Sequence, residues 1–214
     1  MVYRMPSLIE TVRVRNGVAP LWYLHLGRLA SSCKALGVPL PGELPTPSGG
    51  PDRVHRLEVG PRGLQVSERA VGGTEPVSLV SARVVHRPYP HKTTERHQFE
   101  RALEEAKAAG ADDAVLLTEG GQVAECAIWG IFWWDGNRLC APALELGVLP
   151  GVARARLAEL AGEISERKVT PAGIEGRSFF VANSVRGVVP VASFEGRPVP
   201  QESGTGRLSA SFWS

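Results

Sequence analysis

Lysine is the scarce cation of this sequence. Of 24 lysines and arginines, only Lys34, Lys92, Lys107 and Lys168 are lysines. The arginines are scattered among 22 acids, so no basic stripe for nucleic acid emerges. A net charge of +2 gives no strong pull toward nucleic acid or a membrane surface. Cysteine is also sparse. Cys33, Cys126 and Cys140 form no close pair and leave one odd, which argues against a disulfide framework and a zinc site and for a reducing compartment. No apolar run approaches the roughly 20 residues of a membrane span. The opening stretch MVYRMPSLIETVRV shows no apolar run behind a basic start, so a cytoplasmic location is the expectation.

What is present suits a folded domain or two. At 214 residues the chain is long enough to bury a real core. SLIETVRV alternates like a strand, and RNG turns the chain. Leu24, Leu26, Leu29, Cys33 and Leu36 fall near helical spacing, and Gly37 with Pro39 predicts the stop. Residues 41–53 are rich in Pro and Gly and read as an exposed loop. VHRLEVG, LQVSERAV and VSLVSARVV then predict three strands of a small first lobe, residues 1–87. HRPYPHKTT is a crossover. TERHQFERALEEAKAAG is an amphipathic helix, followed by hairpins through EGGQ and DGN. GVLPGVARARLAELAG becomes a helix, RSFFVANSVRGVVPV is strand, polar turn, strand, and RLSASFW is taken as a final strand. The second lobe is residues 88–214. The expected class is α+β, a small α/β lobe beside a larger β-rich one.

Four places carry candidate chemistry. Lys92 follows the stiff Pro-Tyr-Pro segment, and a neutral amine held against a carbonyl is a covalent catalyst. A solvated loop lysine would read the same way. Glu125 lies in a strongly apolar hairpin strand, where a carboxylate needs a partner; alternation also permits it to face outward. Gly151 precedes a helix whose first amides, at Val152 and Ala153, can bind phosphate, although many helices start with Pro-Gly and bind nothing. Asn183 and Ser184 end an apolar run, where a hydroxyl can meet phosphate or close a local turn. An amine, an acid and two phosphate contacts are the protein groups that pyridoxal 5'-phosphate needs.

The blocks ETVRVRNG, HLGRLASSCKALGVPLP, HKTTER, LLTEGGQVAECAIWGIF, GVLPGVARARLAEL and FFVANSVRGVVPV occur in the order seen in the class IV aminotransferases. The chain resembles that family, the fold-type IV pyridoxal-phosphate enzymes, which includes D-amino acid and branched-chain aminotransferases and aminodeoxychorismate lyase. The resemblance implies that Lys92 bonds the cofactor aldehyde and that Glu125 faces the pyridine nitrogen. It places Arg28 as a phosphate-binding arginine, although a polar-face helix residue would look the same. The amides of Val152 and Ala153 and the hydroxyl of Ser184 complete the phosphate contacts. It implies no metal, and a homodimer.

Departures from the family pattern bear on the substrate. Only nine residues precede ETVRV, and the glycine-rich block common there is missing, so part of the usual pocket is expected to be absent or rebuilt. Trp129 and Gly130 stand near the usual Ser-Asn, Ala153 replaces a common hydroxyl, and His97 stands where aminotransferases often have tyrosine. NSVRGVVPV resembles lyase members more than the threonine-rich loop of aminotransferases. The expected activity is therefore aminodeoxychorismate lyase, of the folate pathway. A branched-chain or D-amino acid aminotransferase is the alternative, and a non-catalytic binding homologue is a further one.

Overall fold

The computed structural model describes residues 6–214. The first lobe holds β1 (Leu8–Val14), α1 (Trp22–Leu36), β2 (Arg53–Gly60) and β3 (Gly63–Arg69). Its three strands form an antiparallel sheet in the order β1-β2-β3. Alternation explains its two faces. Leu8, Val59 and Leu64 turn toward Leu29 and Cys33 of α1. Ile9, Thr11, Arg56 and Arg69, of opposite parity, turn toward a cavity against the second lobe.

The larger part runs β4 (Val77–Val85), α2 (His97–Ala108), β5 (Asp113–Leu117), β6 (Val123–Cys126), β7 (Gly130–Asp135), β8 (Arg138–Pro142), α3 (Val152–Ala161), β9 (Ser165–Arg167), α4 (Pro171–Ile174), β10 (Phe179–Asn183), β11 (Gly187–Phe194), β12 (Arg197–Pro198) and α5 (Ser203–Ser211). Its sheet has the order β6-β5-β4-β11-β10-β7-β8-β9, with β12 beside β11. Phe132 and Phe180 stack across neighbouring strands with centroids 5.5 Å apart. Burying a ring of this size stabilises the fold by roughly 1.5–3 kcal/mol. The chain is thus a mixed α+β structure with a small lobe and a larger β-rich one. Among the described residues no helix is long and apolar enough to cross a membrane.

Two elements differ from expectation. VSLVSARVV, grouped with the first lobe, is β4 of the large sheet, parallel to both β5 and β11. Its alternation predicted a strand but carried no information on its neighbours. RLSASFW is not a strand but the end of α5 and the turn after it. Thr205, Leu208 and Phe212 are buried at helical spacing. Gly204 allows α5 to approach the Trp134 indole: a Cβ there would come 2.6 Å from the ring. The indole Nε1 donates to Thr205 Oγ1 at 3.0 Å.

Candidate active site

The crossover between the lobes is clamped before it presents Lys92. The buried Tyr89 hydroxyl accepts from the Thr93 amide and donates to the Thr93 carbonyl, both at 2.6 Å. The Tyr89 amide donates to the Gly147 carbonyl at 2.7 Å. The Lys92 carbonyl accepts from the Ile9 amide at 2.8 Å, and Thr94 donates to Ser7, so the turn is stitched to β1. Pro88 and Pro90 limit the backbone on either side of Tyr89.

Lys92 opens onto a cavity of about 270 Å³. The other three lysines are exposed. Lys92 is therefore not a solvated loop residue. Burial, reinforced by the charges of Arg96 and then Arg28, pushes its amine down to about 7, against the pull of Glu10 and Glu125. A lysine in that state keeps a useful fraction of neutral amine near pH 7.

Glu125 lines the same cavity. Every residue of β6 is buried, so the outward-facing alternative for Glu125 is removed. Its Oε1 lies 3.0 Å from His86 Nε2 and accepts from the Leu149 amide at 3.2 Å. Among the described residues the second oxygen has no hydrogen-bond partner.

Arg28 also faces the cavity rather than solvent. Its Nε and Nη2 donate to the two oxygens of Glu10 at 2.9 and 2.5 Å. His25, one turn earlier on α1, places Nδ1 2.5 Å from Glu10 Oε2. Burial would raise the Glu10 carboxyl, but Arg28 and His25 outweigh it and hold it at about 2. Burial lowers the His25 imidazole, so the neutral ring donates from Nδ1, and the buried Nε2 has no partner among the described residues.

The start of α3 adds amides. Gly151 is its N-cap, and no side chain caps the helix. The first-turn N–H groups at Val152 and Ala153 have no intrahelical acceptor and border the cavity. Ser184 is there too, at the β10–β11 turn, and donates its hydroxyl to the Thr11 carbonyl at 3.0 Å across the lobes. Asn183 Oδ1 accepts from the Val185 and Arg186 amides at 3.0 and 2.8 Å, which fixes that turn. Arg28, Lys92, Glu125, Val152, Ala153 and Ser184 thus line one cavity.

Several residues there escape sequence reading. Glu10 had a usable signal, since it shares strand parity with the apolar Leu8, Val12 and Val14. Arg96 had none. It lies in the cavity, donates to the Ala127 carbonyl at 2.8 Å and covers the Phe99 ring at 4.8 Å. His97 beside it points to solvent, 3.5 Å from Glu100. Asp113 sits under the turn after β6 and accepts from the Ala114 and Ile128 amides at 2.8 and 3.0 Å. Burial pushes its carboxyl up to about 6 despite those donors.

The model of the amino-transferase class IV family matches residues 65–194, more than half of the chain. The chain belongs to this family. The family's cofactor is pyridoxal 5'-phosphate, and the donor set fits it. Free helix amides and a preoriented guanidinium suit a phosphate, and a depressed lysine amine suits an aldehyde. A free carboxylate oxygen suits a ring N–H. An aminodeoxychorismate lyase of Bacillus subtilis is 32% identical over 88 residues, 39% of this chain and 30% of that protein, so the match spans under a third of the relative. A crystal structure from Legionella pneumophila, of a candidate 4-amino-4-deoxychorismate lyase, superposes with TM-score 0.82 at 26% identity, covering 94% of this chain and 88% of that one. A hypothetical aminotransferase of Mycobacterium tuberculosis, in its pyridoxal-phosphate-bound form, shares the fold at TM-score 0.84 and 20% identity, covering 99% and 90%.

Proposed function

We propose that the protein is a pyridoxal-phosphate-dependent lyase that converts 4-amino-4-deoxychorismate to 4-aminobenzoate and pyruvate. The observation that carries this reading is the meeting of a near-neutral Lys92 amine and the half-free carboxylate of Glu125 on one cavity. Kinship with the Bacillus lyase and the Legionella structure supports the lyase over a transaminase. The NSVRG turn points the same way.

Lys92 would bond the cofactor aldehyde, and Glu125 would accept the ring N–H. Arg28, the amides of Val152 and Ala153, and Ser184 would hold the phosphate, with the Ser184 hydroxyl rotating from Thr11 to donate. When bound, the cofactor supplies an electron sink for the bond broken at the amine-bearing carbon. Once the substrate amine has displaced it, the freed Lys92 Nζ would take the proton from that ring carbon. The C–O bond to the enolpyruvyl group breaks, a proton returns to the departing methylene carbon, and the ring becomes aromatic. Atoms balance with no oxidant and no second substrate. Glu10 and His25 keep Arg28 oriented throughout.

The test is to incubate the reconstituted enzyme with 4-amino-4-deoxychorismate, and separately with amino acids plus keto acids. Pyruvate with 4-aminobenzoate supports the lyase. New amino acids without 4-aminobenzoate would establish an aminotransferase instead, acting on branched-chain or D-amino acids. Absence of a borohydride-trapped adduct on Lys92 would favour a non-catalytic binding protein. The cytoplasmic location belongs to the same reading, as does a homodimer, which light scattering tests; a monomer mass removes the dimer.

A further inference from the structure

We propose that Arg186, stacked on Trp129, takes a carboxylate of the substrate, and that the cavity thereby selects amines carrying two carboxylates. This rests on the cofactor assignment above and deepens it. Its starting point is charge. Two cavity arginines are already neutralised: Arg28 by Glu10 at 2.5 Å and Arg154 by Glu166 at 2.8 Å. Arg186, Arg96 and Arg69 have no carboxylate within 4 Å among the described residues, and Arg56 has only a surface approach to Glu58 at 3.9 Å. Among the described residues Glu125 is the one carboxylate on the cavity wall. The phosphate is met by helix amides and Arg28, so the remaining guanidinium groups exceed what the cofactor uses. A substrate with one carboxylate would leave most of them unmatched.

Arg186 is the best built of the four. Its backbone amide is fixed by Asn183. Its guanidinium carbon lies 4.9 Å from the centroid of the buried Trp129 ring. Stacking satisfies the face of a guanidinium and leaves its edge N–H groups free to bind a carboxylate in two places. The chain at Gly72 runs beside it: a Cβ there would sit 3.5 Å from Arg186 Nε. The Trp129 that departs from the family pattern thereby acquires a role, as the platform that aims Arg186.

The experiment is calorimetric titration of the reconstituted protein with benzene-1,3-dicarboxylate and with benzoate. The dicarboxylate should bind at least about tenfold more tightly, the scale of one charge-assisted pair. Arg186→Gln should remove that preference while leaving the absorbance of the bound cofactor unchanged. Arg186→Lys, a point charge without the fork, should restore it in part. Equal affinities in the unaltered protein, or a preference that survives Arg186→Gln, would overturn the proposal. The titration does not need turnover. A preference that stands while no 4-aminobenzoate forms would sink the lyase reading alone.

Discussion

The cavity carries positive charge in two different ways. On the helix side, Arg28 and Arg154 are each held by a carboxylate of the protein, Glu10 and Glu166. On the side of the turns after β6 and β10, Arg96 and Arg186 are held by aromatic rings and, for Arg96, one carbonyl. The first arrangement gives orientation with little leftover field, which suits a resident group held in one pose. The second leaves a field to be cancelled by whatever enters. A buried ion pair contributes little net stability, but removing one partner strands the other. The two sides should therefore respond differently to the loss of one charge.

Lys92 lies under the influence of both sides, and its removal should have the largest effect. Lys92→Ala is expected to lower turnover by about 10³-fold or more, the scale of a lost general base, with the circular-dichroism spectrum unchanged. Full activity in that variant would unseat the assignment. Next is Glu10→Gln, which strands Arg28 and His25. Chemical denaturation should show a loss of about 3 kcal/mol, and cofactor affinity should fall with it. A stable variant with normal affinity would mean that Arg28 needs no anchor.

Acid titration sharpens the same point. Glu10 drops from an ordinary 4.5 to about 2 on folding. Its contribution is present above pH 4.5 and is lost as pH falls through 2; the difference is about 3 kcal/mol. Stability measured across that window should be steeper in the unaltered protein than in Glu10→Gln, and identical slopes would contradict the pairing.

On the turn side the effect should be small and kinetic. Arg96→Gln is expected to cost under about 1 kcal/mol, since no buried charge is left alone. Because Arg96 is the strongest of the charges depressing Lys92, its loss should raise the pH midpoint for cofactor uptake by the apo-protein above about 7, followed by stopped-flow absorbance. An unmoved midpoint would show that burial alone sets the amine.

Local pattern made much of this legible. The alternation of β1, the spacing of α1 and α2, the hairpin turns and the Pro-Gly start of α3 are short-range signals, and each element formed where its pattern lay. Lys92 and Glu125 stood out because each contradicts its surroundings, a lone lysine after prolines and an acid in an apolar strand. The partners of those residues were not legible. Glu10 meets His25 and Arg28 only because β1 packs on α1, and Trp129 meets Arg186 only because two turns 57 residues apart are brought together by β7 and β10 pairing. The sheet that β4 joins and the helical state of residues 203–211 were likewise settled by packing, against β11 and Trp134 respectively. Periodicity and turn chemistry act within a few residues and are written along the chain. Which arginine is neutralised and which is left open depends on long-range register, and only the folded structure decides that.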